Sequence, residues 1–214
     1  MNVFTQLVVV IGRVGTNGIS MLGTGFIINN NGNVVTTRHV VGDSDKGLVI
    51  LFPHVSNINA YQDTTDTSCQ AINAKIQEID PIKDLAVLET EAHYDGTLPT
   101  LGSFDNVNVS ETIEIFGFPH CVEGRRVLTF QKAEIGSKVL LESNGIKSKY
   151  AVINTQARPG QSGSLIFSPK LQQIVGLLNG AYAPSAGISL GGINPRELHQ
   201  TTQCISAEYI KEML

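Results

Sequence analysis

Tryptophan is absent, cysteine occurs only three times, and charged residues make up 16% of a chain of 214 residues. Cys69, Cys121 and Cys204 are odd in number and widely spaced, so they build neither a disulfide framework nor a CxxC metal site. They read as reduced thiols, and the expected location is the cytoplasm. Positive charge is scarce as well. Against 19 Asp and Glu stand 15 Lys and Arg, giving a net charge of −4, and only Arg125 and Arg126 are adjacent. Such a chain has no basic field for phosphates, which excludes nucleic acid as the expected partner. No apolar run approaches the roughly 20 residues that span a bilayer, so no membrane is expected. The opening run Leu7 to Ile11 has no basic segment before it and no small-residue cleavage site after it, and it reads as a strand. His54, His93 and His199 lack companions at ligand spacing, so neither a metal nor another cofactor is expected.

What is present is glycine, at 21 residues, and a hydrophobic share of 42%. The apolar residues fall in short β-branched runs such as Val34 to Thr37, Leu48 to Phe52, Leu85 to Glu89, Arg126 to Glu134, Lys138 to Leu141 and Gly187 to Ile193. Turn sequences such as Asn29-Asn30-Asn31-Gly32 and Ser143-Asn144-Gly145 separate them. That rhythm predicts an all-β barrel or sandwich. One helix is expected, at the C-terminus, where Ser206 precedes good helix formers and is a candidate N-cap. Glu91 to Asn108 is rich in Gly, Thr, Asp and Asn, and is the candidate linker between a first half, 1–98, and a second, 99–214.

Three segments carry chemistry together that none carries alone. The hairpin Gly23-Thr24-Gly25-Phe26-Ile27 to Val34-Val35-Thr36-Thr37-Arg38-His39 ends on a histidine, which by itself is more often structural than catalytic. Asp84 stands directly before the apolar strand Leu85-Ala86-Val87-Leu88, a position usual for a turn residue, with Asp80 as its competitor. Ser162 lies in Pro159-Gly160-Gln161-Ser162-Gly163-Ser164, a tight turn in which the amides of Gly160 and Ser162 can point the same way and form an oxyanion hole. A serine hydroxyl is a weak nucleophile until a base takes its proton, and the base needs a third group to fix its tautomer. His39, Asp84 and Ser162 supply all three, in the chain order of the chymotrypsin architecture.

These segments, with Ile153-Asn154-Thr155 and Ile174-Val175-Gly176-Leu177, resemble the trypsin-like peptidases, in particular the bacterial HtrA-type protease domain. The resemblance implies two six-stranded antiparallel β-barrels packed at right angles, with His39 and Asp84 in the first and Ser162 in the second. It implies cleavage of peptide bonds through an acyl-enzyme. It also implies that the strand edge at Asn179, Gly180 and Ala181 pairs with the substrate main chain, and that Gln156 lies at the floor of the specificity pocket, with Gly191-Gly192 on its far wall. A neutral Gln156 argues for cleavage after an uncharged residue. Digestive members of the family carry an aspartate before the serine that pairs with a freed N-terminus; Gln161 stands there, so activation by propeptide removal is not expected. A PDZ domain, which HtrA-type proteins add after the protease, is not expected here, so restraint is expected from a partner protein or from a site assembled by substrate. The alternatives are a catalytically silent peptide-binding or scaffold module on the same fold, and an esterase using the same triad.

Overall fold

The computed structural model describes residues 3–182 and 201–214. A single-turn helix, α1 (Phe4–Leu7), leads into six strands that close on themselves: β1 (Val8–Gly15), β2 (Gly18–Ile27), β3 (Val34–Thr37), β4 (Leu48–Leu51), β5 (Ala71–Asp80) and β6 (Leu85–Thr90). Around the barrel they run β1-β2-β3-β6-β5-β4, every neighbour antiparallel. A one-turn helix, α2 (Arg38–Val41), interrupts the path from β3 to β4.

The second half contains β7 (Thr100–Leu101), β8 (Thr112–Gly117), β9 (Thr129–Ser143), β10 (Ile146–Ile153), β11 (Leu165–Ser168), β12 (Gln173–Tyr182) and β13 (Thr201–Ser206). The order β11-β8-β9-β10-β13-β12 is closed by a further pairing of β11 with β12, which makes a second six-stranded antiparallel barrel, and β7 adds two parallel residues to β12. The two expected strands Arg126 to Glu134 and Lys138 to Leu141 are one strand. Its first part pairs with β8 through Glu134 and its second with β10 from Ile135. The irregularity read as a break is the change of partner, where the β10 register skips Gly136. A Cβ on Gly136 would lie 2.6 Å from the Asn154 side chain, so the strand bends there without one.

Successive strand residues face opposite sides of a sheet, and in β3, β4, β6 and β11 both sides are buried. Val9, Ile11, Ile27, Val34, Ile50 and Leu88 fill the first barrel. Val8, Val10, Phe26, Val35 and Val87, one residue out of phase with them, join Phe116, Leu165, Leu177 and Ile205 of the second barrel in a shared core. Phe4 of α1 belongs to this shared core and stacks on Phe116 with ring centroids 3.9 Å apart. Burial on both faces explains why the strands read as unbroken apolar runs rather than as alternation.

The candidate linker Glu91 to Asn108 is packed at both ends: Ala92 and Tyr94 join the first core and Phe104 and Val107 a core of the second half, so few apolar residues suffice to tie the connection down. The expected C-terminal helix is present as a 3₁₀ helix, Ala207–Met213, but the expected cap is corrected, since the Ser206 side chain makes no cap bond. The Ser206 hydroxyl instead accepts the Phe104 N–H at 3.1 Å. Ala207, Ile210 and Met213, three residues apart, are buried on one side, the period of a 3₁₀ helix.

Candidate active site

His39 sits in α2, directly after β3. Val40 and Val41 anchor that turn in the first core, while the His39 side chain keeps 48% of its surface exposed. Asp84 closes the turn from β5 to β6 with φ of 56°, a left-handed conformation that aspartate tolerates better than most side chains. Asp80 shapes this turn: its Oδ1 accepts the Ile82 and Lys83 N–H groups, each at 2.9 Å, and its Oδ2 lies 2.6 Å from the Lys83 ammonium. Asp80 is thereby removed as a competitor for His39.

The Asp84 carboxylate grips the histidine twice. Oδ1 accepts the His39 main-chain N–H at 2.9 Å, and Oδ2 lies 2.5 Å from Nδ1. The Arg38 N–H donates to the Asp84 carbonyl at 3.0 Å, so both main chain and ring of α2 are aligned on one residue. A carboxylate only accepts, so in the neutral imidazole Nδ1 carries the proton and Nε2 keeps its lone pair. Asn179, expected only at the substrate edge, donates its amide to Asp84 Oδ2 at 3.0 Å. It lies where the β12–β13 register shifts between Leu178 and Gly180, and that bulge turns it toward the carboxylate.

The Ser162 loop is a turn locked at several points. Gln161 N–H donates to the Arg158 carbonyl at 3.0 Å, Ser164 N–H to the Gln161 carbonyl at 2.9 Å, and Gly163 N–H to Leu178 at 2.7 Å. Gly160 and Gly163 have φ of 88° and 87°. A Cβ on Gly163 would lie 2.0 Å from the Thr24 carbonyl oxygen, so no side chain fits after the serine. The Pro159 carbonyl accepts the His120 N–H at 2.6 Å. In a trans peptide the C=O and N–H point opposite ways, so the Gly160 N–H faces away from His120. Among the described residues, neither it nor the Ser162 N–H has an acceptor.

The two barrels meet at this loop. Thr24 of β2 donates its N–H to the Ser162 carbonyl at 2.9 Å, and its hydroxyl donates to the Gly160 carbonyl at 2.8 Å while accepting the Phe118 N–H at 3.1 Å. A Cβ on Gly23 would lie 3.2 Å from the Ser162 carbonyl oxygen and 2.7 Å from Val40, the neighbour of His39. Gly23 thus brings the serine loop and the histidine turn together. Nothing in Gly23-Thr24-Gly25 as a sequence marks Thr24 as a partner of the Ser162 loop.

Other residues fall out as follows. Gln161 is buried, its amide accepting the Arg158 N–H at 2.7 Å and donating to Gln131 at 2.6 Å, so its neutral side chain is satisfied locally. Gln156 is exposed and accepts from Arg158 at 3.3 Å. Gly180 and Ala181 lie on β12, opposite Gln203 and Thr202 of β13. Gly191, Gly192 and His199 lie outside the described residues. Cys121, next to His120, is buried, and burial pushes its thiol up to about 12, far from a thiolate nucleophile.

A family model described as a trypsin-like peptidase domain matches residues 23–177. A probable periplasmic serine endoprotease, DegP-like, from Pseudomonas fulva is 30% identical over 172 residues, covering 78% of this chain. The chain spans 30% of that relative's length. Among solved structures, the MamO protease domain from Magnetospirillum magneticum superposes with a TM-score of 0.69 at 16% identity, covering 99% of this chain and 97% of that one. The HtrA-type protease AlgW with a decapeptide gives 0.68 at 16% identity, over 98% of this chain and 63% of that one. The cytoplasmic placement is overturned, because the DegP-like relatives are named as periplasmic. Its premise was weak for a physical reason: Cys121 and Cys204 are fully buried, and a thiol sealed in a core stays reduced whatever the compartment.

Proposed function

Since the chain belongs to the trypsin-like peptidase domain family, we propose that it is a serine endopeptidase working through Ser162, His39 and Asp84. The observation that carries the reading is the double grip of Asp84 on His39, 2.9 Å to the main-chain N–H and 2.5 Å to Nδ1. This fixes the tautomer that leaves Nε2 free to take the Ser162 proton as Oγ attacks the substrate carbonyl. The oxyanion forms against the N–H groups of Gly160 and Ser162, which have no competing acceptor among the described residues. Collapse to the acyl-enzyme passes the proton from His39 to the leaving amine, and water repeats the sequence to release the acid.

The substrate main chain adds to β12. One edge of that strand pairs with β13 as far as Tyr182, whereas β11 reaches only Leu177 on the other, leaving the edge at Asn179, Gly180 and Ala181 for an extended peptide. Cleavage follows an uncharged residue, since Gln156 offers no carboxylate to a Lys or Arg side chain. Control by a partner protein fits the oxyanion hole, because the Pro159–Gly160 peptide depends on one main-chain bond from His120, and any ligand that displaces the 118–121 loop releases it.

A fluorophosphonate probe tests the reading. Native protein is expected to be labelled and Ser162→Ala not; absence of labelling in native protein capable of binding peptides would replace the peptidase with a silent binding module.

A further inference from the structure

β8 reads Thr112-Ile113-Glu114-Ile115-Phe116-Gly117, and an acid in the middle of such a strand is costly to bury. Ile113 and Ile115 belong to the core of the second half, whereas Phe116, in phase with Glu114, belongs to the shared core. Glu114 therefore lies at the margin of the shared core, between Phe167 of β11 and Lys132 of β9. It is 8% exposed, and among the described residues its carboxylate accepts no hydrogen bond and joins no ion pair. Buried polar groups in folded proteins are paired in the great majority, so an unpaired carboxylate calls for a reason.

Two lysines stand nearby, and both are engaged elsewhere. Lys132 is exposed, its ammonium 5.9 Å from the centroid of the Phe130 ring. The Lys170 ammonium lies 3.0 Å from Glu111. Glu114 lines a cavity of about 550 Å³. Phe4 of α1, Leu98 and Pro99 of the connection between the barrels, and Phe167 give that cavity apolar walls. The Phe4 and Phe167 rings meet edge to face with centroids 5.2 Å apart. Among the described residues, none of the 158–164 loop, of α2 or of β12 lines the cavity, so it is separate from the proposed peptidase site.

We infer that this cavity binds a small organic ammonium ion, a primary amine whose charge pairs with Glu114 and whose apolar body packs on Phe4 and Phe167. An ammonium ion brings the opposite charge and the donors that a buried carboxylate lacks, and the faces of aromatic rings favour a cation beside them. Apolar walls with one polar group are the usual build of a small-molecule site. An acid of the same shape is repelled, and an alcohol gains the apolar contact alone.

Calorimetry on the native chain tests this with three probes of one shape: 2-cyclohexylethylamine, 2-cyclohexylethanol and 3-cyclohexylpropanoate. The amine is expected to bind at least about tenfold more tightly than the alcohol, the scale of one hydrogen bond to a charged group, and the acid most weakly. Glu114→Gln keeps the shape and removes the charge, and is expected to bring amine and alcohol within about twofold of each other. Thr97→Trp locates the ligand, because Thr97 is exposed on the cavity wall and the native chain has no tryptophan. The introduced indole is expected to change in fluorescence with the amine and to saturate at the calorimetric Kd; loss of amine binding through a blocked mouth also supports the site. Equal affinity for amine and alcohol in the native chain, or binding of neither, overturns the proposal. So does a preference for the amine that survives in Glu114→Gln. Should that variant not fold, calorimetric binding of the amine to Thr97→Trp without a fluorescence change puts the ligand elsewhere and overturns the site.

Discussion

Asp84 receives three N–H groups, from the His39 main chain, the His39 ring and Asn179. An amide in its place can accept at only one of its two terminal atoms, so Asp84→Asn favours the tautomer that puts the His39 proton on Nε2, where it cannot serve as base. The expected loss in kcat is on the order of 10⁴-fold, as in the worked case of the serine protease triad, and a peptide-cleavage assay of Asp84→Asn against native protein measures it. A second prediction concerns Ser164, two residues after Ser162. Its hydroxyl is buried with no partner among the described residues, and a Cβ on Gly117 would lie 1.9 Å from it. Gly117→Ala is expected to destabilise by about 1–3 kcal/mol in urea unfolding. Adding Ser164→Gly restores most of that, because the nearest contact left is Thr24 Oγ1 at 3.4 Å. The proposed trio His39, Asp84 and Ser162 was legible in the sequence because each member stands near the end of a strand, beside a recognisable turn. Thr24 and Asn179 were not legible as partners of the site, since they meet Gly160 and Asp84 across 136 and 95 residues of sequence.

At the scale of the element, the turn from β5 to β6 decides where Asp84 points. Asp80 is partly buried, which raises its pKa, but the Lys83 ammonium and the Lys83 and Ile82 N–H groups outweigh burial and hold the carboxyl below its usual value. A folded-state value below the unfolded one means that the stabilisation is present at neutral pH and fades as pH falls through the carboxylate range. Asp80→Asn is therefore expected to cost about 1 kcal/mol at pH 7. The gap from native protein closes below about pH 3, and urea midpoints across that range follow it; a gap that widens on acidification contradicts the assignment. The strands themselves were readable from their β-branched runs, whereas β9 was read as two because a single sequence does not reveal that a strand changes partners at Gly136. The cap of the helix after β13 was misread for a related reason. Ser206 looks like a cap in isolation, yet tertiary packing gives its hydroxyl to Phe104.

At the scale of the whole molecule, two closed barrels place His39 and Asp84 on one and Ser162 on the other, so the proposed site exists only as well as the barrels are joined. The shared core supplies the adhesion but little alignment, because apolar contact is non-directional. Alignment comes from Thr24, fully buried, whose hydroxyl bonds Gly160 and Phe118 of the second barrel while its own carbonyl accepts the Thr36 hydroxyl of the first at 2.6 Å. Thr24→Val keeps the shape and removes the hydroxyl, leaving the Gly160 carbonyl and the Phe118 N–H without that partner in a buried place. The expected cost is about 1–3 kcal/mol in stability. Because Gly160 carries half of the proposed oxyanion hole, fluorophosphonate acylation of Ser162 is expected to slow by at least about tenfold. Thr24→Ser, which retains the hydroxyl, should acylate at close to the native rate while losing only the packing of one methyl. If Thr24→Val acylates as fast as native protein, the oxyanion hole is held by the His120 bond alone, and the inter-barrel threonine is structural.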